Sequence, residues 1–285
     1  MQSTNYAYVN GRFVPEAEAT VSIFDRGFLY GDGVFETMRV YQSRIFRVFE
    51  HVTRLVSGIT LLGIELEESS GFLRGVCEEI VRHNKVIDGM VRIYVTRGLG
   101  NIGLSAKKTG RPTVIAVAQE RQFSTEADAL RLVLASLRVD SDSRLTRVKS
   151  ANRLCYLLAK QEAEQRMADD AILLNNANHA VELTASNLFL YREGKLVTPP
   201  LVDGALPGIT RAIVLTLAVQ AGIDTAESSI ELDTLRHAEE SFATNSLFEI
   251  SPIAMIEGHQ MSERRITGRL QEVFRDHVRE ELGLD

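Results

Sequence analysis

The stretch that decides the fold runs from Arg144 to Asn187 and reads RLTRVKSANRLCYLLAKQEAEQRMADDAILLNNANHAVELTASN. Lys149 precedes a segment whose apolar residues recur at i, i+3, i+4 and i+7, which predicts an amphipathic helix with one apolar face. That predicted face consists of Ala151, Leu154, Cys155 and Leu158. The lysine therefore lies at the entrance to a helix.

Two short strands are predicted directly after this helix. The runs DAILL and VELTASNLFLY are rich in apolar residues, and Asn and His bound them. Glu182 lies in the second run. The sequence thus assigns Lys149 and Glu182 to neighbouring elements of one domain.

Lys149 is the one lysine in a basic run that otherwise consists of arginines. Fixed positive charges nearby and partial burial both disfavour the ammonium form, and a neutral amine is the form that Schiff-base chemistry requires. The alternative is a solvated lysine at a helix start, because most lysines stay exposed. The arginines of the run are Arg131, Arg138, Arg144, Arg147 and Arg153.

Five motifs in the chain together resemble one family. They are similar to motifs of the fold-type IV (class IV) aminotransferases, pyridoxal phosphate enzymes that include branched-chain and D-amino-acid aminotransferases and aminodeoxychorismate lyase. Several ordered motifs at family-like separations are a far stronger signal than any one alone. The motifs are DRGFLYGDGVFET (Asp25–Thr37), HVTR (His51–Arg54), KSANRL (Lys149–Leu154), ELTASNLF (Glu182–Phe189) and TPPL…GALPGITR (Thr198–Arg211).

The resemblance implies how pyridoxal 5'-phosphate is held. Lys149 is expected to form the Schiff base and to move the proton between the substrate Cα and the cofactor. Glu182 is expected to pair with the pyridine nitrogen, where a surface glutamate on an edge strand is the alternative. The residues expected at the phosphate are Arg54, Ile209, Thr210 and Ser246, and a helix that begins after Pro207 would supply free N–H groups there.

The resemblance also implies a substrate side, which comes from the N-terminal half together with Leu247. Arg92 is a candidate for the substrate carboxylate, as are Arg39 and Arg97, and an outward-facing strand arginine is the alternative for each. The expected pocket residues are Tyr30, Phe35, Thr37, Arg92 and Leu247.

Composition narrows the class of protein. The chain has 285 residues, 45% hydrophobic and 25% charged, which is ordinary for a soluble globular protein. Its net charge of -6 argues against a nucleic-acid binder. Two cysteines and six scattered histidines favour neither a disulfide framework nor a metal site. The N-terminus has no signal-peptide pattern and no apolar run is long enough for a membrane span, so we expect a cytoplasmic protein.

The predicted fold is α/β (α+β) in two domains, as the resemblance implies. Residues 1–118 form a smaller α/β domain, residues 119–128 a linker, and residues 129–285 a larger domain with a barrel-like sheet. The cofactor is expected in the cleft between them, and the family implies a homodimer. The predicted activity is amino transfer between an amino acid or amine and a 2-oxo acid. The alternatives are 4-amino-4-deoxychorismate lyase, which Thr37, Arg153 and Asn245-Ser246-Leu247 favour, and a cofactor-free binding protein.

One motif is typical of a different function, dinucleotide binding. Residues 98–103, GLGNIG, match the dinucleotide fingerprint G-x-G-x-x-G after a predicted strand. That fingerprint needs a helix to begin within it, whereas the polar run LSAKKTGRP follows here. We therefore expect a loop beside the active site.

Overall fold

The computed structural model describes residues 5–107, 109–123, 129–261 and 263–284; residues 124–128 of the predicted linker lie outside them. Helices and strands mix along the described chain, which confirms the predicted α/β class. The helices are α1 Arg26–Tyr30, α2 Val48–Leu62, α3 Ser70–His83, α4 Leu154–Gln165, α5 Ile209–Gln220, α6 Leu232–Arg236 and α7 Arg265–Leu282. The strands of the first half are β1 Tyr6–Val9, β2 Arg12–Pro15, β3 Gly33–Tyr41, β4 Arg44–Ile45, β5 Gly89–Thr96, β6 Thr113–Glu120 and β7 Leu130–Val139. Those of the second half are β8 Asp170–Asn175, β9 Ala180–Leu183, β10 Asn187–Arg192, β11 Lys195–Thr198, β12 Asp224–Glu227, β13 Glu240–Asn245, β14 Glu249–Ile256 and β15 His259–Gln260.

The chain divides into two compact units. The first runs to Phe123 and includes Val148–Arg153, and the second contains the rest. The first unit holds an antiparallel six-stranded sheet of order β2-β1-β6-β5-β3-β4. One face of this sheet packs on α2 and α3 through a core that includes Val34, Met38 and Val40 of β3. Because side chains alternate along a strand, Phe35, Thr37 and Arg39 lie on the other face.

The lysine segment belongs to the first unit. The N–H of Phe35 donates to the carbonyl of Lys149 at 3.0 Å, and the N–H of Ala151 donates to the carbonyl of Gly33 at 2.8 Å. These bonds attach residues 149–151 to the start of β3 as a short extra strand. Lys149 therefore does not share a unit with Glu182, although the sequence assigned both to one domain.

The second unit contains the barrel-like sheet that the sequence predicted. Strands β10, β13, β14, β7, β8 and β9 pair in that order, and β9 pairs back with β10, so the six form a closed ring. The pair that closes it is Glu182 with Asn187. Closure leaves no free edge along the ring.

Helix α4 exists as predicted but buries a different face. Leu154 and Leu158 are 63% and 46% exposed, while Ala159 and Ala163 are fully buried against β7 and β8. Alanine lets the helix backbone approach the sheet closely, which a leucine would prevent. The predicted apolar face was therefore wrong.

The GLGNIG run is a loop, as expected. No helix begins between residues 97 and 107, and Leu99 instead bridges to Asp25. Gly98 has φ +81°, and a Cβ there would lie 1.9 Å from the carbonyl oxygen of Arg111. This glycine serves a close backbone approach rather than a dinucleotide.

Candidate active site

The predicted reactive amine lies beside an aromatic wall in the first unit. Lys149 is half-buried between two buried neighbours, and its Nζ lies 4.9 Å from the ring centroid of Phe35. Phe35 in turn stacks on Tyr94 at 5.4 Å. The backbone bonds to β3 hold the lysine, so the amine is directed by the sheet rather than by a flexible loop.

A buried carboxylate anchors Arg54, the predicted phosphate arginine. Glu36 accepts from Arg54 Nε at 2.6 Å and from Arg54 Nη2 at 2.8 Å. Its second oxygen also contacts His51 Nδ1 at 2.7 Å. A two-nitrogen contact of this kind fixes the plane of the guanidinium. The sequence identified Arg54 but gave no role to Glu36 or His51, since a β-strand glutamate and a helix histidine carry no signal individually.

The electrostatics of this cluster favour one charged pair and a neutral histidine. Burial alone would raise the pKa of Glu36, but the charge of Arg54 and the contact with His51 outweigh it and lower the pKa to about 2. Burial lowers the pKa of His51. The charges of Arg54 and Lys149 lower it further, whereas the carboxylate of Glu36 acts in the opposite direction. At neutral pH the cluster is a carboxylate and a guanidinium with an uncharged imidazole.

The candidate substrate residues meet on the open face of β3 and β5. Arg92 is paired in register with Thr37, and its Nε donates to Thr37 Oγ1 at 2.8 Å. Its Nη1 contacts the Tyr94 hydroxyl at 3.3 Å, and its guanidinium carbon lies 5.5 Å from the Phe35 ring. Three predicted pocket residues, Phe35, Thr37 and Arg92, are thus brought together.

Two other candidates have structural partners. Arg97 donates to Asp32 and to the carbonyls of Leu62 and Gly63, so all three guanidinium nitrogens are engaged. These bonds give Arg97 structural partners within the first unit. The Tyr30 hydroxyl accepts from the N–H of Gly103 at 2.6 Å, which ties Tyr30 to the 98–107 loop.

In the second unit, the predicted acid is held by two donors. Glu182 is 5% exposed; its Oε1 accepts from the Tyr156 hydroxyl at 3.0 Å and its Oε2 from the N–H of Leu206 at 2.9 Å. A buried carboxylate that accepts such bonds is held in one orientation. Tyr156 was missed by the sequence analysis, since nothing in a helical tyrosine marks a contact with residue 182.

Helix α5 starts shortly after Leu206, the residue whose N–H donates to Glu182. Gly208 is the N-cap residue, and no side chain caps the helix there. A Cβ on Gly208 would lie 1.9 Å from Asn187 Oδ1, so any other residue would force the Asn187 amide or the start of α5 to shift. Ile209 and the buried Thr210 form the first turn. Uncapped N–H groups and the positive end of the helix dipole are suited to an anion.

A further hydroxyl lies at the end of β13. Thr244 is paired with Asn187 and is 1% exposed, yet its Oγ1 has no hydrogen-bond partner among the described residues. The predicted Ser246 and Leu247 follow in a turn, where Asn245 Oδ1 accepts from the N–H of Leu247. Thr244 was not predicted, although the strand SFATN places a hydroxyl at its end.

Each unit carries, taken by itself, groups of the kind that pyridoxal phosphate needs. The second unit supplies a buried carboxylate for a ring nitrogen, a helix terminus for a phosphate and an unsatisfied buried hydroxyl. The first unit supplies the amine and an anchored arginine. Within the described residues no cluster of side chains is suited to a metal ion.

Comparison with known proteins decides the family. The model of the amino-transferase class IV family matches residues 33–256. The chain belongs to this family. It is accordingly an enzyme, a transaminase of the pyridoxal-phosphate-dependent kind. None of the helices in the described part of the chain has both the length and the apolar character that crossing a bilayer demands.

Three similar proteins match this chain over nearly its whole length and over nearly the whole of their own. A Methanocaldococcus jannaschii protein, provisionally named a branched-chain-amino-acid aminotransferase, is 37% identical over 97% of both chains. A D-alanine aminotransferase of Listeria monocytogenes is 32% identical over 96% of both. An aminodeoxychorismate lyase of Bacillus subtilis is 31% identical over 95% of this chain and 94% of its own.

A solved structure agrees with the class IV fold. The branched-chain aminotransferase from Thermoproteus uzoniensis, crystallised with norvaline, superposes with a TM-score of 0.92. It is 31% identical, and the match covers 96% of this chain and 95% of that one. The predicted fold and family are confirmed.

Proposed function

We propose that the chain transfers an amino group between an amino acid (branched-chain or of D configuration) or a primary amine and a 2-oxo acid, with pyridoxal 5'-phosphate as cofactor. The observation that carries this is the arrangement around Leu206. Glu182 holds the N–H of Leu206, and two residues later Gly208 begins an uncapped helix. An acid and a phosphate-binding helix start at this short separation are two of the groups that the cofactor requires.

The residues that we propose for the cofactor come from both units. Lys149 would hold it covalently, and Glu182 would keep its ring nitrogen protonated. When bound, the cofactor draws electrons away from the substrate Cα. The proposed phosphate ligands are Arg54, Ile209, Thr210 and Ser246, and we add the unsatisfied hydroxyl of Thr244.

The chain's own groups then have separate tasks. Lys149 Nζ would accept the proton from the substrate Cα and would then deliver it to the cofactor. Tyr156 and the N–H of Leu206 hold Glu182 so that one orientation of the carboxylate persists. Glu36 holds the guanidinium of Arg54 in one plane, which leaves its orientation fixed before an anion arrives.

We propose that Arg92 binds the substrate carboxylate. Thr37 accepts the Nε–H of Arg92, which fixes the side chain on the same face as Phe35 and hence beside the amine of Lys149. A planar guanidinium matches a carboxylate with two parallel bonds. The other residues that we propose for the pocket are Tyr30 and Leu247.

Lyase activity on 4-amino-4-deoxychorismate is the second candidate. The observation that favours it concerns Thr37, which is 8% exposed and accepts from Arg92 through its oxygen. The hydroxyl hydrogen is therefore directed elsewhere, as a positioned proton donor requires. Release of pyruvate and 4-aminobenzoate would use such a donor.

A homodimer is the assembly that we propose. An apolar patch on the first unit joins residues 21–28 to residues 99–104, since the N–H of Arg26 donates to Gly98 and the N–H of Gly100 to Phe24. Exposed apolar patches of this kind mark protein interfaces. The patch comprises Val21, Ile23, Phe24, Phe28, Leu99, Ile102 and Leu104.

The cytoplasm is the compartment that we propose. Cys77 is a buried free thiol, which suits a reducing environment.

The decisive experiment is a half-reaction screen. The yellow, cofactor-loaded protein is mixed with single D- and L-amino acids or amines, and conversion to the aminated cofactor is followed by its absorbance. Conversion by at least one donor and its reversal by a 2-oxo acid are expected. No conversion by any donor, together with 4-aminobenzoate formation from aminodeoxychorismate, would identify the lyase. A protein that binds no cofactor would contradict both.

A further inference from the structure

A groove opens in the first unit between the β1–β2 hairpin and helix α3. Its volume is about 520 Å³, within the range of ~300–1,000 Å³ that is common for small-molecule sites. Two strands, β6 and β5, lie between β1 and β3 in the sheet. None of the residues proposed above for the cofactor or the substrate lines this groove.

Three aromatic rings line the groove. The ring centroids of Tyr8 and Phe13 are 5.3 Å apart, and the two rings are inclined at 65°. Those of Tyr8 and Phe72 are 6.5 Å apart at 67°, and Phe72 is 41% exposed. The face of an aromatic ring carries partial negative charge. Several rings inclined steeply around one space therefore suit an organic cation.

A glycine keeps this space open. Gly75 lies inside α3, three residues after Phe72 and four before Glu79, so the three positions share one face of the helix. A Cβ at Gly75 would meet nothing within 4 Å, and no close approach of another backbone requires glycine here. Glycine is unfavourable in a helix interior. Its effect at this position is to leave room between the aromatic and the acidic residues.

The charge at the groove is predominantly negative. Glu78 and Glu79 line it, and Arg82 is the one cation among its lining residues in the described chain. The pKa of Tyr8 agrees with this balance. Burial raises that pKa most and a backbone hydrogen bond lowers it, while the negative charges of Glu68 and Glu79 raise it further. A cationic ligand would be attracted by such a surface.

The two lining carboxylates remain accessible to a ligand. Glu79 is 3.1 Å from Arg82 and Glu78 is 3.5 Å from Arg74, and all four side chains are at least 50% exposed. Ion pairs that exposed are weak. An ammonium ion in the groove can therefore replace a guanidinium as the partner of either acid.

We propose that this groove binds an organic ammonium ion, which three aromatic rings surround and two carboxylates neutralise. The ligand class is small alkylammonium compounds, including quaternary ones. The proposal is independent of the proposed function, because a quaternary ammonium ion forms no Schiff base and cannot serve as an amino donor. The rings are those of Tyr8, Phe13 and Phe72, and the carboxylates are those of Glu78 and Glu79.

Choline and 3,3-dimethylbutan-1-ol form a probe pair for the cofactor-loaded protein. They have the same shape, but choline has a charged nitrogen where the alcohol has a neutral carbon. Each gives one strong methyl signal, so saturation-transfer NMR measures both dissociation constants in the same way. The wild type is expected to bind choline about fivefold more tightly than the alcohol or better.

Glu79→Gln and Arg82→Gln should act in opposite directions. Glu79→Gln removes a counter-charge and should weaken choline binding by about two- to fivefold. Arg82→Gln removes the competing guanidinium and should strengthen choline binding by a similar factor. Neither should change the affinity for the neutral alcohol. If the ion pair only stabilised the helix, both variants would shift choline binding in the same direction.

Gly75→Leu fills the groove from inside and should abolish choline binding. The variant should fold, because leucine favours a helix and the added Cβ enters open space. Gly268→Leu is the matched control: this glycine lies in α7, and a Cβ there also meets nothing within 4 Å. It should bind choline as the wild type does. Circular dichroism checks the folding of both, and if Gly75→Leu is unfolded, the opposite shifts of the two charge variants decide.

Four outcomes would overturn the ammonium site. They are no choline binding by the wild type, equal binding of choline and the alcohol, undiminished choline binding by folded Gly75→Leu, and weaker choline binding by Arg82→Gln. If choline does not bind and Gly75→Leu changes the mass found by light scattering, the groove is instead an interface between copies of the chain. Failure of the half-reaction screen would leave the ammonium site intact, so the two proposals fail separately.

Discussion

Glu182 and Asn187 are paired across strands β9 and β10, and together they hold both peptide groups of Leu206. Glu182 Oε2 accepts from the N–H of Leu206 at 2.9 Å, and Asn187 Nδ2 donates to its carbonyl at 2.9 Å. The same pair closes the barrel. Glu182, the strand pair that closes the barrel and the segment that leads into helix α5 are therefore joined by direct hydrogen bonds.

Replacement of Glu182 by Gln should slow amino transfer by roughly a hundredfold or more, because a neutral amide cannot keep a ring nitrogen protonated. The cofactor should remain bound, since Gln can still accept from Leu206. Tyr156→Phe, which removes the hydroxyl that donates to Glu182, should slow amino transfer about fivefold. Single-turnover rates with spectroscopic cofactor occupancy measure both. An unchanged rate in Glu182→Gln would show that another acid has this role.

Gly208→Ala should weaken cofactor binding by roughly tenfold, because the new Cβ meets Asn187 Oδ1 and must displace the start of α5. Titration of the cofactor-free protein with pyridoxal phosphate measures this. Gly268→Ala is the control, since a Cβ at this α7 position meets nothing within 4 Å. It should leave binding unchanged and raise stability by about 0.5–1 kcal/mol. Equal affinities in the two variants would mean that the α5 terminus does not bind the phosphate.

The Glu36 cluster should make the protein sensitive to acid. The folded pKa of Glu36 is about 2 against an ordinary 4.5, so its contribution is complete above pH 4.5 and is lost as the pH falls towards 2. That contribution is on the order of 3 kcal/mol. Burial also lowers the pKa of His51 from 6.5. The free energy of unfolding therefore falls further as the pH drops below 6.5, because the unfolded chain then takes up a proton at His51 more readily than the folded protein does.

Denaturant unfolding between pH 7 and pH 3 measures this loss. Glu36→Gln should be destabilised at pH 7 and should lose less on acidification, because the titrating carboxylate is gone. Glu78→Gln breaks an exposed ion pair with Arg74 and should change stability by less than about 0.5 kcal/mol. Parallel pH profiles for wild type and Glu36→Gln would contradict the assignment.

Lys149→Ala should abolish covalent attachment of the cofactor. Borohydride reduction followed by peptide mass spectrometry should find one cofactor on Lys149 in the wild type and none in the variant. Lys160→Ala is the control, because this half-exposed lysine lies near Glu164 on α4. It should keep full labelling. Labelling at any other lysine of the wild type would refute the role of Lys149.

The double variant Phe28→Asp/Ile102→Asp should be monomeric, since it places charges in the apolar patch at positions 72% and 79% exposed. Light scattering after gel filtration gives the mass directly. Ile87→Asp, an exposed apolar position of the same unit outside the patch, should remain dimeric. A wild type that elutes as a monomer at micromolar concentration would reject the proposed interface.

The sequence identified the candidate cofactor-binding residues better than it identified the residues that hydrogen-bond to them. Lys149, Arg54, Glu182 and Thr210 stand in local motifs, so each was visible in a few neighbouring letters. Glu36, His51 and Tyr156 have no motif of their own; they matter through side-chain contacts across 15 to 26 residues of chain. The ion pair of Arg97 was not visible for the same reason, since its partner Asp32 lies 65 residues away.

The sequence by itself determined the family, the α/β class and the order of the elements, because motifs and periodicity are local properties of the chain. Only the tertiary structure decided that Lys149 joins β3, that α4 buries its alanines, and that Glu182 and Asn187 close the barrel. It also decided that two nitrogens of Arg39 are buried without a hydrogen-bond partner among the described residues. Each of these depends on which distant residues come into contact. Burial and pairing are set by the packing of the whole chain, which no local pattern encodes.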